Sequence, residues 1–262
     1  MISSKNVGTQ TIERARALNA TGLLHWTMGN FIGARPFLVE ALRIGRQYQD
    51  KLTLGETLAY LGFVCIAADE YDSARLYLDE SIELTSDAGN VGYTVSGMAH
   101  VFIGDIYLVR RDESRAMEFY EEGVRRLRET YNANLLAYAV RRLGYLAVKL
   151  GDCARAKTLF KESLTLNRQV GHQVGMAAAV AGLAKTALVE GRNEQAAQLY
   201  GIVEGRVSAI GIPLMVMDKA HFDAGVSSLR EQLGGKTLAR FWTKGTAMTL
   251  EQAIDFALKE FK

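Results

Sequence analysis

Apolar residues along this chain recur at intervals of three and four, and short polar turns separate the apolar segments. This spacing places apolar side chains on one face of an α-helix, whereas no stretch alternates strictly between apolar and polar residues. The pattern therefore predicts an all-α chain with almost no β structure. Residues 135–146 illustrate it, with apolar side chains at Leu135, Leu136, Ala139, Val140, Leu143 and Leu146.

The sequence also repeats with a period much longer than one helical turn. Five times, a small residue is followed twelve positions later by alanine, four further on by Leu, Tyr or Phe, and three further on by a residue that is usually small. The units advance by 40, 42, 40 and 40 residues, which is typical of a repeat array. The five sets are Gly22/Ala34/Leu38/Ala41, Gly62/Ala74/Leu78/Ser81, Gly104/Ala116/Tyr120/Gly123, Gly144/Ala156/Phe160/Ser163 and Ala184/Ala196/Tyr200/Val203.

Each set predicts two helices in van der Waals contact. The small first residue lets the helices approach, alanine faces it, and the larger side chain one turn later fills the space beside it. Short turns at 28–30, 68–70, 110–112, 150–152 and 190–193 connect the two helices. We expect glycine to end the first helix and Asp or Asn to cap the second.

These residues resemble the tetratricopeptide repeat (TPR), which carries an LG-like pair, an aromatic three residues on, and small and aromatic positions in the second helix. The family unit is nearer to about 34 residues, and its closing proline is absent here. A HEAT or armadillo array would also suit a period near 40, but the LG pairs and the Gly151-Asp152 turn favour the tetratricopeptide interpretation. The matching residues are Leu61-Gly62, Ile103-Gly104, Tyr107, Leu143-Gly144 and Leu159-Phe160.

The resemblance implies a right-handed TPR-like α-solenoid of five helix-turn-helix repeats within residues 1–208, followed by a C-terminal helical cap at 209–262. Gly211 to Pro213 should interrupt the helices, and a capping box from Thr249 to Gln252 should start the last one. Such a cap would cover the apolar face of the fifth repeat. The predicted repeats span about 11–50, 53–90, 91–131, 132–171 and 173–208.

Charge and cysteine content narrow the function classes. The net charge is +2, from 31 basic and 29 acidic residues, so we expect no direct contact with nucleic acid or an anionic membrane. Cys65 and Cys153 lie far apart in predicted helices, so neither a disulfide framework nor a zinc motif is indicated. The N-terminus lacks an apolar signal core, and the longest apolar run is far short of the ~18 residues that a membrane span needs, which predicts a cytoplasmic protein.

Sequence motifs for catalysis, metal binding or phosphate binding are weak. His25, His100, His172 and His221 lack metal-binding spacing, and Leu233–Thr237 lacks the first glycine of a phosphate-binding loop. No carboxylate pair stands out from the solvated background. We therefore expect no enzyme activity, no metal and no cofactor.

A binding groove is the remaining candidate site. The tetratricopeptide resemblance implies that the first helix of each repeat lines the concave side, where aromatic residues and arginines could anchor a peptide, a partner protein or a small inducer. The alternative is that these residues pack against a neighbouring helix or a dimer mate. The candidate groove residues are Arg16, Asn19, Leu23, Trp26, Phe63, Asp105, Tyr138, Arg141, Tyr145 and Lys185.

The C-terminal third carries a second resemblance, in residues 199–204, 210–213 and 241–253. These runs are similar to the end of the TPR-like sensor region of bacterial signal-transduction ATPases and LuxR-type transcriptional regulators. The resemblance implies a sensor role in signal transduction or transcription regulation, in a fragment of such a regulator or in a standalone relative. The alternative function is a scaffold that self-associates, with its groove filled by its own tail or by a second copy in a homodimer.

Overall fold

The chain is all-helical in the part that the structure, a computed structural model, describes: residues 11–28 and 30–259. It divides into two compact units, residues 1–131 and 132–262. The prediction of an all-α fold is confirmed, while the number of repeats and their boundaries stay predictions.

The N-terminal unit consists of antiparallel helix pairs, in which each helix packs on the next one in the chain and alternate helices also meet. Helix α3 is buried along most of its length because α1, α2, α4 and α5 all pack on it. The helices are α1 (Ile12–Thr27), α2 (Phe31–Tyr48), α3 (Lys51–Ala67), α4 (Tyr71–Thr85), α5 (Gly89–Val109) and α6 (Glu113–Arg128).

The C-terminal unit begins with two further pairs and ends with three helices of different arrangement. Helix α11 packs on α9 and α10, whereas α12 and α13 pack on α10. The helices are α7 (Ala133–Lys149), α8 (Cys153–Gln169), α9 (Gln173–Val189), α10 (Asn193–Ile210), α11 (Val216–Gln232), α12 (Gly235–Thr246) and α13 (Leu250–Lys259).

The repeated small and large residues make the contacts that their spacing predicts. A Cβ atom on Gly104 would lie 2.5 Å from Cδ1 of Tyr120, and one on Gly62 would lie 2.6 Å from Cδ2 of Leu78. The larger side chain therefore occupies the space that glycine leaves open. The alanines of all five sets, Ala34, Ala74, Ala116, Ala156 and Ala196, are fully buried.

The second helix is capped by an Asn or Asp side chain, as predicted, at three of the five turns. The side chains of Asn30, Asp112 and Asp152 each accept a hydrogen bond from the backbone N–H three residues on. The other two turns differ, since Glu70 and Arg192 occupy the cap positions without a side-chain cap. At these two turns, helix packing holds the second helix without the expected side-chain cap.

Helices α10 and α12 cross at a contact made by glycine. A Cβ atom on Gly245 would lie only 2.0 Å from the carbonyl oxygen of Gln198, and one on Gly201 would lie 2.3 Å from that of Trp242. The two backbones therefore touch without intervening side chains. The indole N–H of Trp242 donates to the Glu204 carboxylate beside this crossing.

The capping box at the start of α13 is confirmed. The Gln252 N–H donates to Oγ1 of Thr249 over 3.3 Å, and the Thr249 N–H donates to Oε1 of Gln252 over 3.0 Å. On the same unit, Arg168 of α8 pairs with Glu251 at 2.8 Å. These contacts fix the beginning of α13 against the C-terminal unit.

Candidate functional site

The predicted groove residues at the start of the chain connect α1 to α3. Arg16 is exposed and donates to Asp50 over 3.1 Å and to Oγ1 of Thr53 over 3.2 Å. The Asn19 amide is buried and donates to the backbone oxygen of Thr53 and to the carboxylate of Glu56, each over 3.3 Å. Asn19 thus joins α1 to α3, while the side chain of Arg16 stays exposed to solvent.

The apolar groove candidates of the N-terminal unit are divided between the surface and the core. Leu23 is half-buried, and the side chain of Trp26 lies outside the described residues. Phe63 is buried, with its ring centroid 5.2 Å from that of Phe31 and 4.8 Å from that of Phe102. The alternative interpretation, packing against neighbouring helices, therefore describes Phe63.

Asp105 is also buried, and it accepts a hydrogen bond from the hydroxyl of Tyr120 over 2.5 Å. Tyr120 is the large residue of the third repeat set. The carboxylate therefore supports the contact between α5 and α6 instead of facing an open surface.

The arginines near α6 take part in packing as well as ion pairing. Arg75 of α4 lies 5.1 Å from the Phe119 ring centroid and donates to the hydroxyl of Tyr107 over 3.1 Å. Arg125 and Arg126 both bind Glu122 at 2.6 Å, and their guanidinium groups lower the pKa of that carboxyl to about 2. The local charge is balanced on this face.

Four of the predicted groove residues lie in the C-terminal unit, and α11 contacts two of them, Arg141 and Tyr145. Tyr138, Arg141 and Tyr145 on α7 are all buried, and Lys185 on α9 is half-buried. The surface formed by α7 and α9, called here the α7/α9 surface, thus already holds a helix of the same chain.

A buried ion pair fixes α11 to this surface. Nε and Nη2 of Arg141 donate to the two carboxylate oxygens of Asp218 over 2.9 and 3.0 Å, and both side chains are at least 96% buried. Burial disfavours the charged guanidinium, but the Asp218 carboxylate outweighs it and raises the pKa of Arg141. The Arg141 guanidinium also lies 5.4 Å from the Tyr138 ring centroid.

A ring stack lies one turn along from the ion pair. The imidazole of His221 stacks on the Tyr145 ring, with centroids 3.9 Å apart and an interplanar angle of 12°. Burial, followed by the nearby Asp218 carboxylate, raises the pKa of Tyr145 well above its usual value. Arg141 and Tyr145, four residues apart on α7, thus meet Asp218 and His221, three residues apart on α11.

Two buried hydroxyls beneath α11 are left without a hydrogen bond. Among the residues that the structure describes, neither the Tyr145 nor the Tyr200 hydroxyl has a partner. A Cβ atom on Gly225 of α11 would lie 1.8 Å from the Tyr200 hydroxyl oxygen, so α11 approaches this hydroxyl closely without bonding it. An unsatisfied buried hydroxyl destabilises the packed state by roughly 1–3 kcal/mol.

We expect the His221 contact to make the stability of the C-terminal unit depend on pH. The pKa of His221 is lowered from 6.5 to about 4, chiefly by burial; the cations of Arg142, Lys185 and Arg141 also lower it, and the Asp218 carboxylate opposes them. Below pH 6.5 the unfolded chain therefore binds more protons than the folded one, and stability falls as the pH drops toward 4. The free energy of unfolding should be roughly 1 kcal/mol lower near pH 5.5 than at neutral pH on account of this histidine.

Urea unfolding curves recorded at several pH values test this expectation. His221→Phe keeps a flat ring on Tyr145 but removes the titrating group, so its stability should vary less with pH than that of the wild type. Equal pH dependence in the two proteins would show that His221 does not contribute. Both proteins retain His100 and His172, whose pKa values are also lowered, chiefly by burial.

Asp218 and His221 are the contact residues that sequence reasoning missed. The sequence places Asp218 near the start of a helix and shows His221 as an isolated histidine. The ion pair joins residues 77 positions apart, outside the repeat period, so no register could bring them together. The only signal was their spacing of three, which puts both side chains on one helix face.

Metal and membrane features are absent from the described part of the chain. Residues 11–28 and 30–259 contain no group of three or more His, Cys, Asp or Glu side chains arranged to hold a metal ion. Within the same residues, no helix combines the length and apolar character needed to cross a bilayer. Cys65 is buried and Cys153 is partly buried, and both are free thiols.

Comparison with known proteins identifies the fold. No protein-family model matches the chain. The chain is 24% identical over 214 residues to the 43 kDa receptor-associated protein of the synapse from Tetronarce californica, a match that covers 78% of this chain and 51% of that protein. The chain thus spans about half the length of this curated relative.

Solved structures give the architecture. BtubC from P. vanneervenii aligns with a TM-score of 0.57 at 16% identity, over 77% of this chain and 89% of that one. TTC0263, a TPR protein of Thermus thermophilus, aligns with a TM-score of 0.55 at 16% identity, and the alignment covers 81% of this chain and 99% of that one. Pseudomonas aeruginosa PilF aligns with a TM-score of 0.52 at 18% identity, and the alignment covers 88% of this chain and 98% of that one. The chain therefore has an all-α fold of the tetratricopeptide-repeat solenoid type.

Proposed function

We propose that this chain is a non-catalytic interaction module whose α7/α9 surface binds a helical segment of a partner protein. One observation carries the proposal: this surface already binds a helix, α11, through the Arg141–Asp218 ion pair and the stack of His221 on Tyr145. The repeat fold supports a protein partner, and so does the name of the curated relative, a receptor-associated protein.

We also propose that the module has a sensor role in a bacterial signalling or transcription regulator in the cytoplasm. The resemblance of residues 199–204, 210–213 and 241–253 to such sensor regions supports this role. A small inducer is a second ligand class for the same surface. In the N-terminal unit, the exposed Arg16 and the half-buried Leu23 stay candidates for further contacts.

A scaffold function is the second candidate, and the position of α11 favours it. If the tail only completes the fold, then the α7/α9 surface has no other occupant and assembly involves another face. Exposed apolar side chains at the start of the chain offer such a face, since Leu24, Met28 and Ile32 are 58, 62 and 84% exposed.

Selection of helical peptides from a displayed library against the full chain tests the first candidate. We expect bound clones to be displaced by a synthetic peptide of residues 214–234, and Tyr138→Ala to weaken their binding about tenfold. Tyr131→Ala is the matched control, because this tyrosine is 96% exposed and belongs to the other unit.

Two results would contradict the proposal. One is that no clones bind above background; the other is that the bound clones are indifferent to both the peptide and Tyr138→Ala. Light scattering over a concentration series then examines the scaffold candidate. A dimer that forms with increasing concentration and is unaffected by the peptide would support assembly through another face.

A further inference from the structure

We propose that the α7/α9 surface selects partner helices that carry a carboxylate and, three residues later, a flat ring. This inference rests on the proposed function and specifies its ligand. Helix α11 presents the same two groups in Asp218 and His221, and it is therefore an internal competitor that a partner helix replaces.

The first recognition point is the Arg141 guanidinium. Its side chain is 4% exposed, and both of its hydrogen bonds from Nε and Nη2 end on one carboxylate. A planar guanidinium matches a carboxylate in this two-bond arrangement better than it matches any neutral group. An occupant without a carboxylate would leave the cation buried and uncompensated, so the surface discriminates against it.

The second recognition point is the face of Tyr145. The parallel stack at 3.9 Å requires a flat group, which histidine or a larger aromatic ring provides and an aliphatic side chain does not. Arg141 and Tyr145 are one helical turn apart, so a ligand helix satisfies both only when its carboxylate and ring are also about one turn apart. The spacing of Asp218 and His221 meets this condition.

Helix α11 fits this surface incompletely, which leaves room for a better ligand. It covers the hydroxyls of Tyr145 and Tyr200 without bonding either of them. Apart from Ala220 and Ala224, its exposed residues are polar, and Lys219 pairs with Asp223 on the exposed side. A partner helix that brings an acceptor to either hydroxyl would gain a bond that α11 lacks, and so could offset the high effective concentration of a tethered helix.

Synthetic peptides added to the full chain test the recognition rule. The protein carries Asp218→Asn, which weakens its own α11 contact, and the probes are fluorescein-labelled peptides of residues 214–234 followed by anisotropy. The native peptide should bind at least about tenfold more tightly than the Asp218→Asn peptide. The His221→Ala peptide should be weakened, and the His221→Phe peptide should bind like the native one.

Asp223→Asn is the matched control peptide. It also loses one aspartate charge, but its side chain lies on the outward face of the helix, so it should bind like the native peptide. In a protein that also carries Arg141→Gln, the difference between the native and Asp218→Asn peptides should disappear. The same titrations are repeated on a full chain with His221→Ala, which loosens α11 while keeping the ion pair.

The outcomes separate the two proposals. Equal binding of all peptides would overturn the recognition rule and leave helix binding at this surface intact. The proposed function itself would be overturned if no peptide bound to either protein variant while circular dichroism showed that both variants keep their helix content. Selective loss with Asp218→Asn and His221→Ala supports both.

Discussion

Asp218→Asn is expected to lower the free energy of unfolding of the chain by about 3 kcal/mol or more, because it leaves the buried cation of Arg141 without its partner. Detachment of α11 sets an upper limit to this loss of stability. If α11 leaves the surface, water reaches Arg141, and the penalty cannot exceed the free energy of detaching this helix. Urea unfolding followed by far-ultraviolet circular dichroism measures the loss, and amide hydrogen exchange in α11 shows whether detachment occurs.

Two further variants examine the cause. Asp223→Asn removes an exposed charge from the same helix and should change stability by less than about 0.5 kcal/mol. Arg141→Met combined with Asp218→Leu removes both charges, so it should recover most of the stability that the single change loses. A double variant no more stable than Asp218→Asn would show that charge burial is not the origin of the loss.

Gly245→Ala is expected to destabilise the C-terminal unit by about 3 kcal/mol or more, since no side chain can move to accommodate the new methyl group. The added carbon would lie 2.0 Å from the Gln198 carbonyl oxygen and 2.7 Å from the Ile202 nitrogen, both backbone atoms of α10. Relief therefore requires α12 to move away from α10. Thermal unfolding and the near-ultraviolet signal of Trp242 report the loss of stability and the displacement.

Gly235→Ala provides the control for this change. It lies at the start of the same helix, and an added Cβ atom would meet nothing within 4 Å. Alanine also favours helix over glycine by up to about 1 kcal/mol, so this variant should be neutral or slightly stabilised. Similar losses at positions 235 and 245 would argue that helix propensity, and not the crossing, is responsible.

The repeat contacts could be predicted from sequence because they are local and periodic. Gly104 and Tyr120 belong to one helix pair, and the same spacing occurs in each set, so the pattern specifies both the partners and the distance between them along the chain. Turn caps such as Asp152 follow from nearby residues for the same reason.

The groove candidates were less predictable because a surface depends on what covers it. The position of Phe63 on a first helix follows from the repeat, but its burial depends on how closely α3 and α5 pack. Tyr145 and Arg141 were predicted to line the binding groove, whereas their partners on α11 were not predicted. Helix α11 lies outside the repeat array, so its residues have no repeat positions from which the surface that it covers could be predicted.

The glycine crossing of α10 and α12 holds both ends of α11 in place. Helix α11 connects two helices that are themselves joined, through residues 211–215 at one end and residues 233 and 234 at the other. If it left its surface, it would bow outward as a closed loop with both ends anchored beside the α10/α12 crossing. A helix tethered at both ends in this way would stay close to its surface after being displaced, so its return would not require a search through distant conformations.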